Sequence, residues 1–164
     1  MVNMRPFTAF EQKNLKFLVN HNVKFTQVEI TPTGLGKGIL DSTAPMRAYF
    51  LENGIHNYEE QLQGQEHKQI KQACILTDAT QFFTKASFYR PNTKKGDPRM
   101  WIYGLGGYTE GNDIHVLIWH EQTLYSINIT HIDIEKCYDS AIITPMQDIL
   151  KAINKEGNSV SEEL

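Results

Sequence analysis

The sequence predicts a single α+β domain in which a mostly antiparallel sheet is flanked by helices near both ends of the chain. Five strand-like segments follow one another between residues 69 and 130, with short connections between them. Amphipathic patterns of helical period precede and follow these segments. Consecutive strands with short connections pair antiparallel. We assign the domain to residues 1–156 and a flexible tail to residues 157–164.

Helix signals occur at three places. In the first predicted helix, at residues 6–20, Thr8 and Glu11 have the spacing of a capping box. In the second, at residues 39–53, Thr43 is a suitable N-cap, Pro45 falls in the first turn and Gly54 provides a stop. The third, at residues 145–155, carries an apolar stripe that suits packing against a sheet. The predicted helices are residues 6–20, 39–53 and 145–155.

Alternation of apolar and polar residues, bounded by turn residues, predicts the strands. Both faces of residues 114–119 are apolar, so the strand that contains them is expected to lie in the centre of the sheet. The strand at 123–130 mixes apolar with polar residues, as a half-exposed strand does. The glycine-rich residues 31–38 and the polar residues 55–66 are expected to be irregular. The predicted strands are residues 23–31, 69–77, 81–90, 99–105, 113–120 and 123–130.

The composition is that of an ordinary soluble protein, with 40% apolar and 21% charged residues. No apolar run approaches the roughly 18 residues of a membrane span, and residues 1–20 lack the apolar core of a secretory signal. We therefore expect a cytoplasmic protein without a membrane partner. Cys74 and Cys137 are expected to be reduced core thiols, because two cysteines in a chain without an export signal seldom pair.

Positive charge is concentrated between residues 85 and 103. This window carries a net charge of +4 in a chain whose formal net charge is −3, so the remainder carries −7. Its pattern is that of a strand end, a polar loop broken by Pro91, Gly96 and Pro98, and the start of a second strand. Clustered charges raise the local potential even when the whole protein is negative. The charged residues of the window are Lys85, Arg90, Lys94, Lys95, Asp97 and Arg99.

This hairpin is interpreted as a surface for double-stranded DNA. Arg90 and Arg99 at its base are expected to read base edges or clamp phosphates, since guanidinium is a planar fork that suits both. Tyr89, Trp101 and Tyr103 stiffen the base of the hairpin or stack on exposed bases. A solvated turn that keeps a sheet edge soluble is the alternative. The expected contacts of the loop itself are Lys94 and Lys95 with the DNA backbone and Asn92 and Asp97 with bases.

A nuclease motif is a second possibility. Glu66-His67-Lys68 has the Glu-x-Lys form of metal-dependent nucleases, in which carboxylates bind magnesium and a lysine steadies the attacking water. In such enzymes the motif lies on an apolar strand, whereas polar residues surround it here. The second carboxylate of such a site would come from Asp41, Glu59 or Glu60.

Other catalytic and ligand-binding patterns are incomplete. Lys37 follows a glycine-rich run, but Gly38 stands where a phosphate loop requires Ser or Thr. His115 and His120 are five residues apart on a predicted strand and therefore face opposite sides of it. No serine or cysteine has the surroundings of a nucleophile elbow. The sequence therefore predicts a binding protein without catalytic residues, metal ligands or a cofactor.

Two stretches and the strands that follow them resemble the accessory DNA-recognition domains of restriction endonucleases, of the EcoRII N-terminal type, as found with MvaI/BcnI-type nucleases. The resemblance covers roughly the middle two-thirds of the chain. The two stretches are Thr33-Gly34-Leu35-Gly36-Lys37 and Arg90-Pro91-Asn92-Thr93-Lys94-Lys95-Gly96-Asp97-Pro98-Arg99-Met100-Trp101.

The resemblance implies a pseudobarrel with flanking helices, whose projecting loops grip duplex DNA in a restriction or defence system. By position, Arg90, Lys94, Lys95 and Arg99 belong to one DNA-binding arm. Thr33 and Lys37 belong to the other. The 164 residues contain no catalytic domain of that class, so the protein is expected to act beside a nuclease subunit. The alternative is a protein-binding inhibitor or adaptor, because an acidic body with a charge of −7 competes for DNA-binding clefts.

Overall fold

A computed structural model describes the chain from Met4 to Glu163, with side chains throughout except at Lys94 and at residues 157–163. The helices are α1 Ala9–Asn20, α2 Pro32–Lys37, α3 Ala44–Glu52, α4 Ile134–Tyr138 and α5 Pro145–Glu163. The strands are β1 Thr26–Ile30, β2 Leu40–Asp41, β3 Gln69–Leu76, β4 Gln81–Tyr89, β5 Arg99–Ile102, β6 Asp113–His120 and β7 Thr123–Asn128. The predicted tail at residues 157–164 falls on α5 residues whose side chains are not described and on Leu164, which lies outside the described range.

All seven strands form one sheet in the order β1-β6-β7-β3-β4-β5-β2. The sheet is nearly closed into a barrel with helices flanking it, so the predicted α+β pseudobarrel is confirmed. The predicted meander is wrong at one point, because β5 and β6 are far apart in the sheet. Instead β3 and β7 pair in parallel, with Cys74 opposite Tyr125, and join two antiparallel units. The other five pairings are antiparallel.

One face of the sheet, which we call the inner face, carries the larger core. Each of the seven strands contributes a buried side chain to it, and α3 adds Met46, Tyr49 and Phe50. Phe50 and Phe88 meet edge to face, with ring centroids 5.2 Å apart. This arrangement fixes α3 beside the loop that follows β4, where the basic residues of the sequence lie.

The opposite, outer face is only partly covered by helices. Helices α1, α4 and α5 pack on β6, β7 and the second half of β3, with Leu18, Cys137 and Leu150 among the buried contacts. Side chains on the first half of β3 and on β4 remain exposed on this face, for example Ile70 and Phe83. The sheet therefore presents an uncovered area at its β3-β4-β5 end.

The helix starts follow the predicted capping chemistry. The Thr8 hydroxyl accepts from the Glu11 backbone N–H while the Glu11 carboxylate accepts from the Thr8 backbone N–H. The Thr43 hydroxyl accepts from the Met46 backbone N–H at 3.5 Å, and Pro45 lies in the first turn of α3. The capping box and the Thr43 cap are thus confirmed.

Two predictions around residue 35 are wrong. The glycine-rich run is a short helix, α2, whose N-cap hydroxyl on Thr31 accepts from the Gly34 backbone N–H at 3.0 Å. A Cβ atom at Gly34 would lie 2.7 Å from the carbonyl oxygen of Ile39, so only glycine fits there. The predicted helix at 39–53 begins only at Ala44, because Leu40 and Asp41 instead pair with β5 as strand β2.

Burial also differs from expectation in β7. Its side chains from Leu124 onward are buried, so the predicted half-exposed strand is wrong. The polar residues are satisfied within the fold: Ser126 bonds His115 at 2.8 Å, and Asn128 donates to Asp113 at 2.8 Å. A short helix, α4, and the 3₁₀ turns at Tyr58–Glu60 and Gln65–His67 were not predicted.

The burial of β6 and of the cysteines was predicted. Strand β6 is almost wholly buried, which is confirmed, but it lies between β1 and β7 near one edge of the sheet, and the middle strand is β3. Both cysteines are buried and free. None of the helices in the described part of the chain is long and apolar enough to cross a membrane.

Candidate nucleic-acid interface

The loop between β4 and β5 is bound to the body of the protein by Arg90. Its Nε donates to the Gly96 carbonyl at 2.9 Å, and its Nη1 donates to the carbonyls of Tyr58 and Gln61 at 3.3 and 3.2 Å. The Gly64 backbone N–H donates to the Arg90 carbonyl at 2.7 Å. These bonds join the loop to residues 58–64, so the loop is a compact, supported structure rather than a free projection.

The tip of this loop turns sharply. Lys95 and Gly96 both have a left-handed backbone, with φ of 58° and 70°, and the Gly96 N–H donates to the Thr93 carbonyl. Such a turn is costly for a lysine and persists because the surrounding bonds hold it. The side chains of Asn92, Lys95 and Asp97 are exposed. That of Lys94 lies outside the described residues.

A groove of about 480 Å³ runs between this loop and α3. Arg47 of α3 lines one side, and Arg90, Lys95 and Asp97 line the other, with Glu59 also at its edge. The Arg47 guanidinium is held by a bond from Nη1 to the Ser42 carbonyl. Three cations and two carboxylates therefore share a concave surface. A second, adjoining groove of about 520 Å³ lies beyond His56 and contains Lys71.

Arg99 lies on β5, directly opposite Tyr89 of β4 and Asp41 of β2. Its Nε is buried and has no hydrogen-bond partner among the described residues. Within the same part of the chain it forms no ion pair, although Asp41 is its register neighbour. A buried donor without a hydrogen-bond partner costs about 1–3 kcal/mol, so the Nε of Arg99 is a destabilising feature at the base of the loop.

The structure does not bring Thr33 and Lys37 into the groove. Both are exposed on α2, which precedes β2, whereas the Ser42 N–H at the other end of β2 donates to Pro98. The two predicted DNA-binding arms therefore lie at opposite ends of the same sheet edge. The end of α2 instead approaches Trp101 of β5, because a Cβ on Gly38 would contact the Trp101 indole at 3.5 Å.

The Glu-x-Lys motif is not assembled as a nuclease site. Glu66 is exposed on a 3₁₀ turn, 3.8 Å from His67. The ammonium group of Lys68 lies over the ring of Tyr89, 5.3 Å from its centroid. No group of three metal-ligating side chains within the described ranges includes Glu66.

A polar cluster at the start of β6 was not recognised in the sequence. Three possible metal-ligating atoms lie within 4.8 Å of one another. They are one carboxylate oxygen of Glu110, one of Asp113 and one imidazole nitrogen of His131. Burial raises the pKa of Asp113, but hydrogen bonds from the Glu110 backbone N–H and from Asn128, with His131 nearby, lower it below its usual value overall. Burial lowers the pKa of His115 to about 4, so this histidine is neutral at pH 7. As predicted, His115 and His120 face opposite sides of β6.

A comparison of the chain with protein-family models, with curated proteins and with solved structures finds no match.

Proposed function

We propose that this protein binds double-stranded DNA through the β4–β5 loop and performs no chemistry itself. The observation that carries the proposal is the groove beside the loop, where three cations, Arg47, Arg90 and Lys95, outnumber the carboxylates of Glu59 and Asp97 on one concave surface. Cations along a concave wall of low dielectric concentrate the positive potential and attract a polyanion. The groove lies on a body of net negative charge, which would repel DNA elsewhere.

Within this proposal the residues have different tasks. Lys95 is exposed at the tip and contacts a phosphate as a point charge. Asn92 and Asp97 are exposed on the same loop and offer polar groups to base edges. Arg90 positions the loop, because its Nε and Nη1 donate to three carbonyls of the protein.

The resemblance of the Arg90–Trp101 stretch to accessory domains of restriction endonucleases gives the proposal its biological context. In that context the protein reads a DNA sequence or modification for a nuclease subunit in a defence system. The hydrogen bonds of Arg90 hold the loop in one conformation, which agrees with such a role. A rigid recognition element loses little conformational entropy when it binds.

The salt dependence of duplex binding tests the proposal. Replacing Lys95 with alanine is expected to reduce the slope of log K against log salt by about 0.9, because one phosphate contact fewer releases fewer counterions. The measurement is fluorescence anisotropy of the full chain with a labelled duplex at several salt concentrations.

Lys16→Ala is the matched control, because Lys16 is exposed on α1, away from the groove. It removes the same charge and should leave the slope nearly unchanged. Equal slopes for Lys95→Ala and Lys16→Ala would remove the loop from the interface. The absence of any duplex binding at low salt would favour a protein partner for the acidic surface.

A further inference from the structure

The uncovered part of the outer face carries alternating aromatic and cationic side chains. Successive residues of a strand point to opposite faces of the sheet. The register therefore shows which residues of β4, of β5 and of the adjoining chain point outward. Tyr103 lies opposite Lys85, since its N–H donates to the Lys85 carbonyl at 3.0 Å, and Trp101 lies opposite Ser87. We call this area the outer platform and define it by Lys68, Phe83, Lys85, Arg99, Trp101 and Tyr103.

The aromatic rings of the outer platform are accessible. Phe83 is 63% exposed and Tyr103 is 40% exposed, both unusual for large aromatic residues in a protein with two well-filled cores. Trp101 is partly buried beside Gly38 and marks the edge of the area. Trp101 and Tyr103 are two residues apart on one face, which places their backbones about 7 Å from each other.

Positive charge accompanies these rings. Lys85 is exposed opposite Tyr103 and two residues from Phe83, and Lys68 lies over the ring of Tyr89 at the other end. Arg99 completes the row with a buried Nε that has no partner among the described residues. Asp41 is the register neighbour of Arg99 but is not paired with it. The area therefore suits a flat ligand with anionic groups at intervals.

We infer that the outer platform binds single-stranded nucleic acid. Unpaired bases expose their flat faces and stack on aromatic side chains, whereas a duplex hides these faces inside its own stack. In this arrangement Phe83, Trp101 and Tyr103 are the stacking surfaces. Phosphates lie against the cationic side chains of Lys68, Lys85 and Arg99, because charged donors form strong hydrogen bonds with phosphate oxygens.

A protein partner fits this surface less well. Charged residues are depleted at the centre of protein interfaces, whereas the exposed Lys85 is the direct neighbour of Tyr103 and lies two residues from Phe83 on the same face. The inference does not depend on the duplex-binding loop, since Phe83 and Tyr103 alternate along their strands with the buried inner-face residues Ala86 and Ile102. The two ligands are therefore tested separately.

The test uses the full chain with fluorescein-labelled dT12 and rU12 and with a 12-residue abasic strand that carries the same phosphates. The intact strands are expected to bind at low salt and to quench the fluorescence of Trp101, whereas the abasic strand binds at least tenfold more weakly. The comparison of dT12 with rU12 shows which sugar is preferred. Equal affinity for intact and abasic strands, or no binding of either intact strand, would overturn the inference.

Phe83→Ala and Tyr103→Ala locate the site. Each is expected to weaken dT12 binding about tenfold while the affinity for duplex DNA stays unchanged. Phe10→Ala is the matched aromatic control, because Phe10 is 37% exposed on α1. Conversely, Lys95→Ala should alter duplex binding and leave dT12 binding as it is. If both aromatic variants bind dT12 like the unmodified protein while their circular dichroism is native, the platform is not the site.

Discussion

Replacing Arg5 with alanine is expected to lower the free energy of unfolding by about 3 kcal/mol at pH 7, because it leaves a buried carboxylate without its cation. Glu11 is completely buried, and the two guanidinium nitrogens of Arg5 donate to its two oxygens at 2.8 and 2.5 Å. Thr130 donates a further bond at 2.6 Å. This pair connects the segment before α1 to the end of β7.

The same pair makes stability depend on pH. The bonds from Arg5 lower the pKa of Glu11 to about 2 from about 4.5, against the opposite effect of burial, and Thr130 and the Thr8 N–H add to the lowering. A carboxyl group with a depressed pKa stabilises the fold fully above its unfolded pKa. We therefore expect a loss of about 3 kcal/mol as the pH falls from about 4.5 towards about 2.

Urea unfolding at several pH values measures both effects. In Arg5→Ala the decline of stability below pH 4.5 should be smaller, because the pKa of Glu11 is then less depressed. The matched control is Lys13→Ala, since Lys13 pairs with Asp133 at 3.1 Å on the surface. An exposed pair contributes at most about 1 kcal/mol. Similar losses of unfolding free energy in Arg5→Ala and Lys13→Ala would show that the burial of Glu11 does not make its ion pair more important than an exposed one.

Replacing Arg90 with lysine is expected to destabilise the protein nearly as much as replacing it with alanine, by about 2–3 kcal/mol. The reason is geometric. Three carbonyls from two segments of the chain accept from one planar guanidinium, and an ammonium group does not reproduce that fork. Duplex affinity should fall in both variants, because the loop that presents Lys95 is no longer fixed.

Amide hydrogen exchange at Gly64 and Gly96 reports on this loop directly. The Gly64 N–H donates to the Arg90 carbonyl and the Gly96 N–H donates to the Thr93 carbonyl, so both bonds belong to the part of the loop that Arg90 holds in place. Exchange should accelerate in Arg90→Lys. Arg47→Lys is the control, because Arg47 donates to a single carbonyl, that of Ser42. If Arg90→Lys kept both the slow exchange and the duplex affinity, the positive charge of residue 90 would matter and its guanidinium geometry would not.

The strands were predictable where their pattern is local. The apolar run of β6 and the caps of α1 and α3 each follow from a few neighbouring residues, and all are confirmed. The parallel pairing of β3 with β7 was not predictable, because nothing local distinguishes it from another antiparallel neighbour. Strand β2 was missed because two residues are too short to show an alternation.

The candidate site was predictable in charge but not in geometry. The basic window is evident in the sequence, whereas the carbonyls of Tyr58 and Gln61 that bind Arg90 belong to a segment with no clear pattern. Arg47 comes to the groove only through the packing of α3. The signal of the outer platform was present as Phe83-x-Lys85 and Trp101-x-Tyr103, but only the register shows that Lys85 lies beside Tyr103.

The parallel contact between β3 and β7 has a consequence for the order of folding. The hairpins β3–β4 and β6–β7 close over short connections and can form early. Bringing Ala73 beside Leu124 closes a loop that contains the whole intervening chain. The conformational entropy of that loop is lost before any contact between the two strands has formed. We expect the two halves of the sheet to assemble separately and their parallel seam to form last, as the step that limits the rate.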